Sequence, residues 1–232
     1  MITSELQSLA ATQLVEEQRN GALLLDVRDP EQFTSFHIPG SVQIGLSGPF
    51  ASWATVLIQP AQKLVLIAQR ISSVHEAHTR LKRVGVGHVV GYSLANEEEW
   101  RTKGLDVAKI SILRCAAVRA ILLSSPSIQV FDVRSHAEWL KGHLPGAISL
   151  PLLDLNSKAP EIDPFRPSLV YCHEGFRATT AASILLRRGV GDGNIDILID
   201  GIEGWLACGL PLEISEPHTG AQLQFISTSK AA

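Results

Sequence analysis

The chain has 232 residues, enough for two domains of the common size of about 100 residues each. Hydrophobic residues make up 45% and charged residues 19%, a balance that indicates buried cores and excludes disordered and collagen-like classes. The net charge is −3, with 20 basic and 23 acidic residues and no long run of one sign. The sequence therefore predicts neither a nucleic-acid partner nor binding to a membrane surface.

The N-terminal residues 1–5 lack the basic segment and apolar run of a signal peptide, and we expect a cytoplasmic protein. No apolar stretch has the length of about 18 residues that a membrane-spanning helix needs. Cys115, Cys172 and Cys208 lack the spacing of a zinc site, so we expect no disulfide, metal or other cofactor. Cys115 and Cys208 are interpreted as small core residues.

The predicted elements alternate between strands and helices. Short apolar runs rich in β-branched residues predict strands, and helical patterns that end at a glycine predict helices. In chain order these are strands 22–27 and 63–67, helix 74–84, strands 128–133 and 168–171, helix 176–188 and strand 195–199. This alternation predicts an α/β fold with mainly parallel sheets covered by helices on both faces.

An internal repeat divides the chain into two copies. Residues 26–44 align without gaps on residues 132–150, and both stretches contain D-V-R followed by H-x-P-G. The match continues downstream, where residues 63–68 align on residues 167–172. We therefore predict two similar domains, residues 1–107 and 108–214, followed by a flexible tail at residues 215–232.

One loop of the second copy has the layout of a nucleophile site. Cys172 follows a predicted strand, Gly175 can adopt the unusual backbone angles of a tight ring, and a helix begins directly afterwards. Backbone N–H groups of residues 173–177 that converge on one point would form a cradle for an anion. Such a cradle, with Arg177 nearby, favours the nucleophilic thiolate and would also stabilise a persulfide.

The first copy lacks this loop. Ala68 stands at the position of Cys172, and the residues after it include neither the loop glycine nor an arginine equivalent to Arg177. We expect the first domain to be catalytically silent, with a structural, regulatory or cleft-forming role.

These motifs together resemble the rhodanese homology family. The resemblance lies in D-V-R, an acidic residue, G-H-L-P-G-A and a strand ending in C-x-x-G-x-R, and it extends over nearly all of both copies. It implies two tandem rhodanese-like domains and a sulfurtransferase that holds sulfane sulfur as a Cys172 persulfide. Residues 48–53 also resemble tandem rhodanese regions found behind metallo-β-lactamase-fold hydrolases of persulfide metabolism.

The resemblance also assigns candidate site residues. It names Cys172 and Arg177 as catalytic, the latter as an anion clamp. His173, Glu174, Gly175 and Phe176 are the candidate substrate-binding residues.

Supporting roles are implied for residues of the D-V-R and H-x-P-G motifs. Arg134 is expected to pair with Glu138, while Asp132 orients loop backbone near the site. In the first copy, Arg28 would likewise pair with Glu31 or Gln32. His143 occurs in an H-x-P-G turn that both copies share, so we interpret it as fixing that turn.

His173 occurs in the second copy alone, directly after the nucleophile. It is either a group that deprotonates an incoming thiol near neutral pH or a solvent-facing loop residue. Glu174 carries a negative charge that would oppose a doubly anionic donor.

The expected partners are a small sulfane-sulfur donor, either thiosulfate or a persulfide, and a thiol or cyanide acceptor. The sequence also leaves open a protein as the acceptor of the sulfur. Two other functions also stay open: a non-enzymatic persulfide carrier or docking module, and a cysteine phosphatase or arsenate reductase. Four residues separate Cys172 from Arg177, one fewer than in the phosphatase loop, which favours sulfur over phosphate.

Overall fold

A computed structural model describes residues 6–125, 127–158 and 162–214, in which each half of the chain forms one parallel β-sheet with flanking helices. The predicted tail at 215–232 lies outside the described residues. The first half contains α1 (Ala11–Arg19), β1 (Leu23–Asp26), α2 (Pro30–Ser35), β2 (Val42–Gln43), α3 (Phe50–Leu57), β3 (Lys63–Ala68), α4 (Ile71–Val84), β4 (His88–Leu94) and α5 (Glu97–Thr102). The second contains β5 (Ser111–Leu113), α6 (Cys115–Ser124), β6 (Gln129–Asp132), α7 (His136–Leu140), β7 (Ile148–Ser149), α8 (Leu155–Lys158), β8 (Ser168–Tyr171), α9 (Phe176–Arg187), β9 (Ile195–Leu198) and α10 (Gly201–Ala207).

The two sheets share one topology. The first has the strand order β2-β1-β3-β4, and the second has the order β7-β6-β8-β9-β5. In the first sheet Val27 N donates to Ile67 O at 2.9 Å, and in the second Val133 N donates to Tyr171 O at 3.0 Å. These equivalent bonds place Ala68 and Cys172, the next residues along β3 and β8, at the same position of the two domains. The predicted α/β fold with two parallel sheets is confirmed.

The central strands are continuous apolar runs because helices cover both faces of each sheet. Every residue of β1, β6 and β8 is buried. The five predicted strands agree with the observed ones to within one residue at each end, and both predicted helices are present. Gly85 ends α4 with φ +65°, and Gly189 follows α9 with φ +76°, as expected for C-terminal stops.

Four strands were not predicted. β2 and β7 have two residues each, too few to show a pattern. Gly91 interrupts the apolar run of β4. β5 has three residues and lies in the segment that connects the sheets, where Ser111 pairs with Asp196 of β9. The domain boundary after residue 107 stays a prediction.

The two halves pack against each other through α9. One buried apolar cluster includes Phe33 and Phe50 from the first half together with Phe131 and Leu152 from the second. All residues of α9 from 178 to 185 are buried, as expected for a helix enclosed on every side. The cysteine loop precedes this helix and therefore lies at the junction between the halves.

Gln43 links β2 to α9 across that junction. Its backbone N donates to Ser183 Oγ at 3.0 Å, while its Oε1 accepts from Thr180 Oγ1 at 3.0 Å. All three residues are buried, so these bonds are shielded from water. Within the described residues, no helix has the length and apolar character needed to cross a bilayer.

Candidate active site

Cys172 lies at the carboxyl end of β8, in the loop that leads into α9. The residue is 1% exposed. Its Sγ accepts a hydrogen bond from the backbone N of Gly175 at 3.1 Å. A buried thiol that faces a backbone N–H at the start of a helix has the donor that a thiolate or persulfide requires.

The loop conformation depends on Gly175. Its φ is +88°, a left-handed value that residues with side chains rarely adopt. A Cβ at this position would lie 2.6 Å from the backbone O of Ile199. Glycine is thus needed here both for the backbone angle and for the close approach of the segment after β9.

The start of α10 supports the same loop from behind. Ile202 N donates to the backbone O of Cys172 at 2.9 Å. Gly201 has φ +58°, and a Cβ there would clash with the backbone of His173. The cysteine loop is therefore packed tightly against the turn into α10.

Arg177 forms a bidentate ion pair with Glu138. Its Nη1 donates to Glu138 Oε2 at 2.8 Å and its Nη2 to Oε1 at 2.9 Å. The hydrogen bond from Arg177 lowers the pKa of Glu138 to about 2, and the bonds from Ser135 add to this. The same pair, with a smaller contribution from Cys172, raises the pKa of Arg177. The guanidinium that lies near the nucleophile is thus already charge-balanced.

The expected pairing of Arg134 with Glu138 is wrong. Arg134 instead binds Asp132, with Nε 2.9 Å from Oδ1 and Nη2 2.6 Å from Oδ2, and it also donates to Gly142 O at 2.7 Å. Residues two apart on an extended chain project to the same side, so the buried carboxylate has this guanidinium as its neighbour. Glu138 lies in the first turn of α7, where it is available to Arg177.

The first half repeats this arrangement. Arg28 binds Asp26 rather than the expected Glu31 or Gln32, at 2.6 Å from Nη2 to Oδ2. Its guanidinium also lies 4.5 Å above the ring of Phe36. Because the first half lacks the cysteine but has the same buried pair, a structural role of the pair in both domains is favoured.

Asp132 contacts Tyr171, the last residue of β8 before Cys172. Its Oδ2 accepts from the Tyr171 hydroxyl at 2.6 Å, and that hydroxyl accepts from Leu144 N at 3.1 Å. Burial and the neighbouring Asp132 carboxylate raise the pKa of Tyr171. Asp132 therefore orients the residue before Cys172 rather than the cysteine loop itself.

His143 lies in its H-x-P-G turn and is not among the residues that line the cavity of Cys172. Its Nδ1 is 3.0 Å from Trp139 O, its ring stacks on Trp139 at 4.0 Å, and its backbone pairs with Glu213. In the first half His37 contacts Phe33 in the same two ways, at 3.1 Å and 4.2 Å. Both histidines hold the turn to the preceding helix.

Three candidate binding residues line the mouth of the site. His173 and Glu174 are exposed, and Phe176 is partly exposed at 39%. His173 Nδ1 lies 3.5 Å from Glu203 Oε1 on α10. The two side chains thus lie side by side at the entrance.

The cavity in front of Cys172 has walls from both halves and a volume of about 240 Å³. Sequence reasoning identified the second-half wall but did not assign the first-half residues to the site. The lining residues are Ser47, Gly48, Pro49, Trp53, Cys172, His173, Glu174, Phe176 and Arg177. The resemblance noted for residues 48–53 was the one signal that marked this segment.

The equivalent loop of the first half is shorter. Ala68 is fully buried, and α4 begins at Ile71, so only Gln69 and Arg70 separate strand from helix. In the second half four residues, 172–175, separate β8 from α9. The first half has neither the thiol nor a loop as long as the one that places Gly175 N against Cys172 Sγ.

The expectation of no disulfide is wrong. Cys115, at the start of α6, and Cys208, after α10, form a disulfide with a Cα–Cα distance of 6.8 Å. They meet because both helices pack on one apolar cluster, which includes Val118 and Trp205. Cys208 is exposed and Cys115 half-buried, so neither is the core residue expected. Disulfides persist mainly in oxidising compartments, and the cytoplasmic localisation stays a prediction.

Comparison with protein families identifies both halves. The model of the Rhodanese-like domain matches residues 10–96 and 117–208. The chain belongs to this family. The match in two copies agrees with the two sheets and with the repeat in the sequence. The relation to metallo-β-lactamase-fold hydrolases stays a prediction.

Several curated proteins are similar to parts of this rhodanese-family chain. A sulfurtransferase of Allochromatium vinosum is 30% identical over 95 residues, which is 41% of this chain and 87% of the relative. A putative sulfur carrier protein of Bacillus subtilis is 32% identical over 66 residues, 28% of this chain and 36% of the relative. An HTH-type transcriptional regulator of Mycobacterium tuberculosis is 30% identical over 44% of this chain, which spans 46% of the regulator's length.

Solved structures show similarity at lower identity. A thiosulfate sulfurtransferase from Pseudomonas aeruginosa is 21% identical, covers 91% of this chain and 44% of its own, and has a TM-score of 0.39. A rhodanese-like domain protein from Staphylococcus aureus is 21% identical, covers 46% of this chain and 100% of its own, and has a TM-score of 0.41.

Proposed function

We propose that this member of the rhodanese-like sulfurtransferase family carries and transfers sulfane sulfur on Cys172. The observation that carries the proposal is the hydrogen bond from Gly175 N to Cys172 Sγ, in a loop that faces a cavity between the domains. The names of two relatives, a sulfurtransferase and a putative sulfur carrier protein, support the same chemistry.

The proposed reaction has two displacements. The Cys172 thiolate attacks the sulfane sulfur of a donor persulfide, forming a new S–S bond while the donor's S–S bond breaks and its thiol leaves as a thiolate. With thiosulfate as donor, the leaving group is sulfite. An acceptor thiolate or cyanide then attacks the outer sulfur of the Cys172 persulfide, and Cys172 leaves as a thiolate.

The backbone supplies the main stabilisation in this scheme. Cys172 is an anion before each transfer, as a thiolate, and between transfers, as a persulfide. The N–H of Gly175 points at its sulfur, and the start of α9 adds the positive end of a twelve-residue helix. No side chain has to change its protonation state to provide this.

The charges at the cavity favour an organic persulfide over thiosulfate as donor. Glu138 balances the charge of Arg177, and Glu174 adds an exposed negative charge at the mouth. Pro49, Trp53 and Phe176 make the remaining wall largely apolar. A doubly charged donor gains little in such surroundings, whereas the organic part of a persulfide can contact the apolar wall.

Persulfide loading tests the proposal. The protein is incubated with glutathione persulfide or with thiosulfate, and peptide mass mapping locates any added sulfur. We expect one added sulfur on Cys172, formed faster from the persulfide. The matched control is Cys172→Ser, which keeps the size of the side chain but provides no thiol. If no sulfane donor places sulfur on Cys172 of the folded wild type, the proposal is wrong.

A carrier role without rapid turnover is a second candidate, favoured by the burial of Cys172 and by the putative sulfur carrier among the relatives. The two functions separate in a single experiment. The loaded protein is mixed with cyanide, glutathione or a candidate protein acceptor, and the loss of the sulfur is followed with time. Fast discharge to small acceptors indicates the enzyme, and discharge to a protein alone indicates the carrier.

A further inference from the structure

The disulfide between Cys115 and Cys208 joins the first and last helices of the second domain. Cys115 is the first residue of α6, and Cys208 follows the last residue of α10. The two cysteines are separated by 93 positions along the chain. The bond therefore closes nearly the whole domain into one covalent loop, outside the cavity of Cys172.

Few other contacts hold α6 in place. Within α6, which the structure describes in full, Val118 is the one residue that is fully buried. A nearby ion pair joins the same two helices, because Arg114 Nη1 binds both carboxylate oxygens of Asp200 at 2.8 and 2.9 Å. The side chain of Arg114 is 76% exposed, so the stabilisation by this pair is small. The disulfide is thus the strongest attachment of α6.

The two sulfur atoms have different surroundings. Cys208 is exposed and Cys115 is half-buried, so a thiol from solution reaches Cys208 more easily. Cys115 begins a ten-residue helix, where free backbone N–H groups and the helix dipole stabilise a thiolate. Cys208 lies at the carboxyl end of α10, where the same effects disfavour one. Attack at Cys208 with departure of Cys115 is the favoured direction.

We propose that this disulfide is a second sulfur-reactive site, which exchanges with small thiols and thereby releases α6. A thiolate attacks Cys208 Sγ and forms a mixed disulfide with it. The Cys115–Cys208 bond breaks, and its electron pair leaves on Cys115 as a thiolate. A second thiolate then attacks the mixed disulfide, which frees Cys208 and yields an oxidised dimer of the small thiol.

The exchange site is connected to the cysteine loop through one short helix. α10 has seven residues, and Ile202 near its start donates to the backbone O of Cys172, while Cys208 follows its end. Glu203 on the same helix faces His173. Release of α6 therefore removes support from the helix that packs behind the cysteine loop.

The experiment uses the full chain, purified without reductant and exposed briefly to glutathione. Remaining thiols are then alkylated, and peptide mapping assigns the glutathione adduct and the freed thiol. We expect the adduct on Cys208 to exceed that on Cys115 by about fivefold or more, with Cys115 recovered in the alkylated form. An equal or reversed distribution contradicts the proposed leaving group. Recovery of both cysteines as free thiols before any glutathione is added, or no adduct at all, overturns the site itself.

Hydrogen exchange supplies a second readout that needs no variant. On reduction we expect faster amide exchange in α6, while α1 of the first domain, which buries Ala11 and Leu14 and has no disulfide, keeps its rate. Unchanged exchange in α6 contradicts its release. Repeating the glutathione reaction in Cys172→Ser separates this proposal from the sulfur-transfer function, because exchange at Cys208 needs no Cys172 thiol and Cys172 loading needs no disulfide.

Discussion

Glu138 and Arg177 form two parallel hydrogen bonds, at 2.8 and 2.9 Å, between α7 and the first turn of α9. The pair ties α7 to the helix that follows Cys172. Glu138 also balances the positive charge of Arg177, which is interpreted from the sequence as an anion clamp. We expect the stability of the domain to depend on this pair, and under the proposed function the choice of donor depends on it as well.

The first prediction concerns the pH dependence of stability. The pKa of Glu138 is lowered to about 2 in the folded protein, below its unfolded value, so the pair stabilises the fold above the unfolded pKa. That contribution is lost as the pH falls towards about 2. Glu138→Gln should therefore lower the free energy of unfolding at pH 7 by about 1 kcal/mol, after allowance for partial exposure, and by much less near pH 2.5.

Urea unfolding at the two pH values measures this difference. Glu97→Gln is the matched control, because Glu97 pairs with Arg101 on the surface of α5. Exposed pairs of this kind contribute about 0.3–0.5 kcal/mol. An equal effect of Glu138→Gln at both pH values would show that its charge is not what stabilises the domain.

The second prediction concerns the backbone of the cysteine loop. Gly175→Ala should abolish persulfide loading at Cys172, because the left-handed angle and the 2.6 Å approach to Ile199 O both exclude a Cβ. Gly85→Ala is the control, since Gly85 also has a positive φ but has open space where a Cβ would lie. It should lower stability by about 1 kcal/mol and leave loading intact. Normal loading in a folded Gly175→Ala variant would contradict the proposed role of the ring.

The third prediction concerns the silent domain. A thiol introduced as Ala68→Cys in the Cys172→Ser background should acquire no sulfur from glutathione persulfide. Position 68 is fully buried, and the short connection to α4 leaves no ring of N–H donors around it. Peptide mass mapping of the segment that contains residue 68 checks this after incubation, with circular dichroism as the test of folding. Loading at residue 68 would show that the thiol alone is sufficient.

The fourth prediction concerns the wall contributed by the first domain. Trp53→Ala should lower kcat/KM for a bulky organic persulfide by about tenfold and change that for thiosulfate much less, since Trp53 lines the same cavity as Cys172. Steady-state kinetics with the two donors measure the ratio. Val56→Ala, on the exposed side of the same helix, is the control and should change neither. Equal losses for both donors would assign Trp53 to domain packing instead of substrate choice.

The fifth prediction concerns the covalent loop in the second domain. Reduction should lower the free energy of unfolding by about 2–4 kcal/mol, the usual contribution of a disulfide that closes a long loop. Thermal unfolding with and without reductant measures the change. A double variant, Cys115→Ala with Cys208→Ala, should unfold at the same temperature in both conditions. A reductant effect that persists in this variant would point to Cys172 or to another cause.

Much of the fold followed from local pattern. Strands such as 168–171 are buried on both faces and bounded by loops. The change from apolar to loop-forming residues therefore marks both ends of the strand in the sequence. β2 and β7 have two residues each and form because β1 and β6 beside them supply hydrogen-bond partners. A window of two residues is too short to predict a strand from sequence. The duplication was likewise readable from the repeat. The role of Cys172 as the nucleophile stays a prediction.

Tertiary structure decided which side chains meet. Arg134 and Arg177 each have an acidic residue within four positions along the chain. Only the folded structure shows that Arg134 binds Asp132 and that Arg177 binds Glu138. Packing also placed Trp53 in the wall of the same cavity as Cys172 and joined Cys115 to Cys208. The periodicity of apolar residues indicates which face of a helix or strand is buried and which faces water. Pairings between distant residues depend on how helices and sheets stack, and the free energy of that stacking is shared over the whole core.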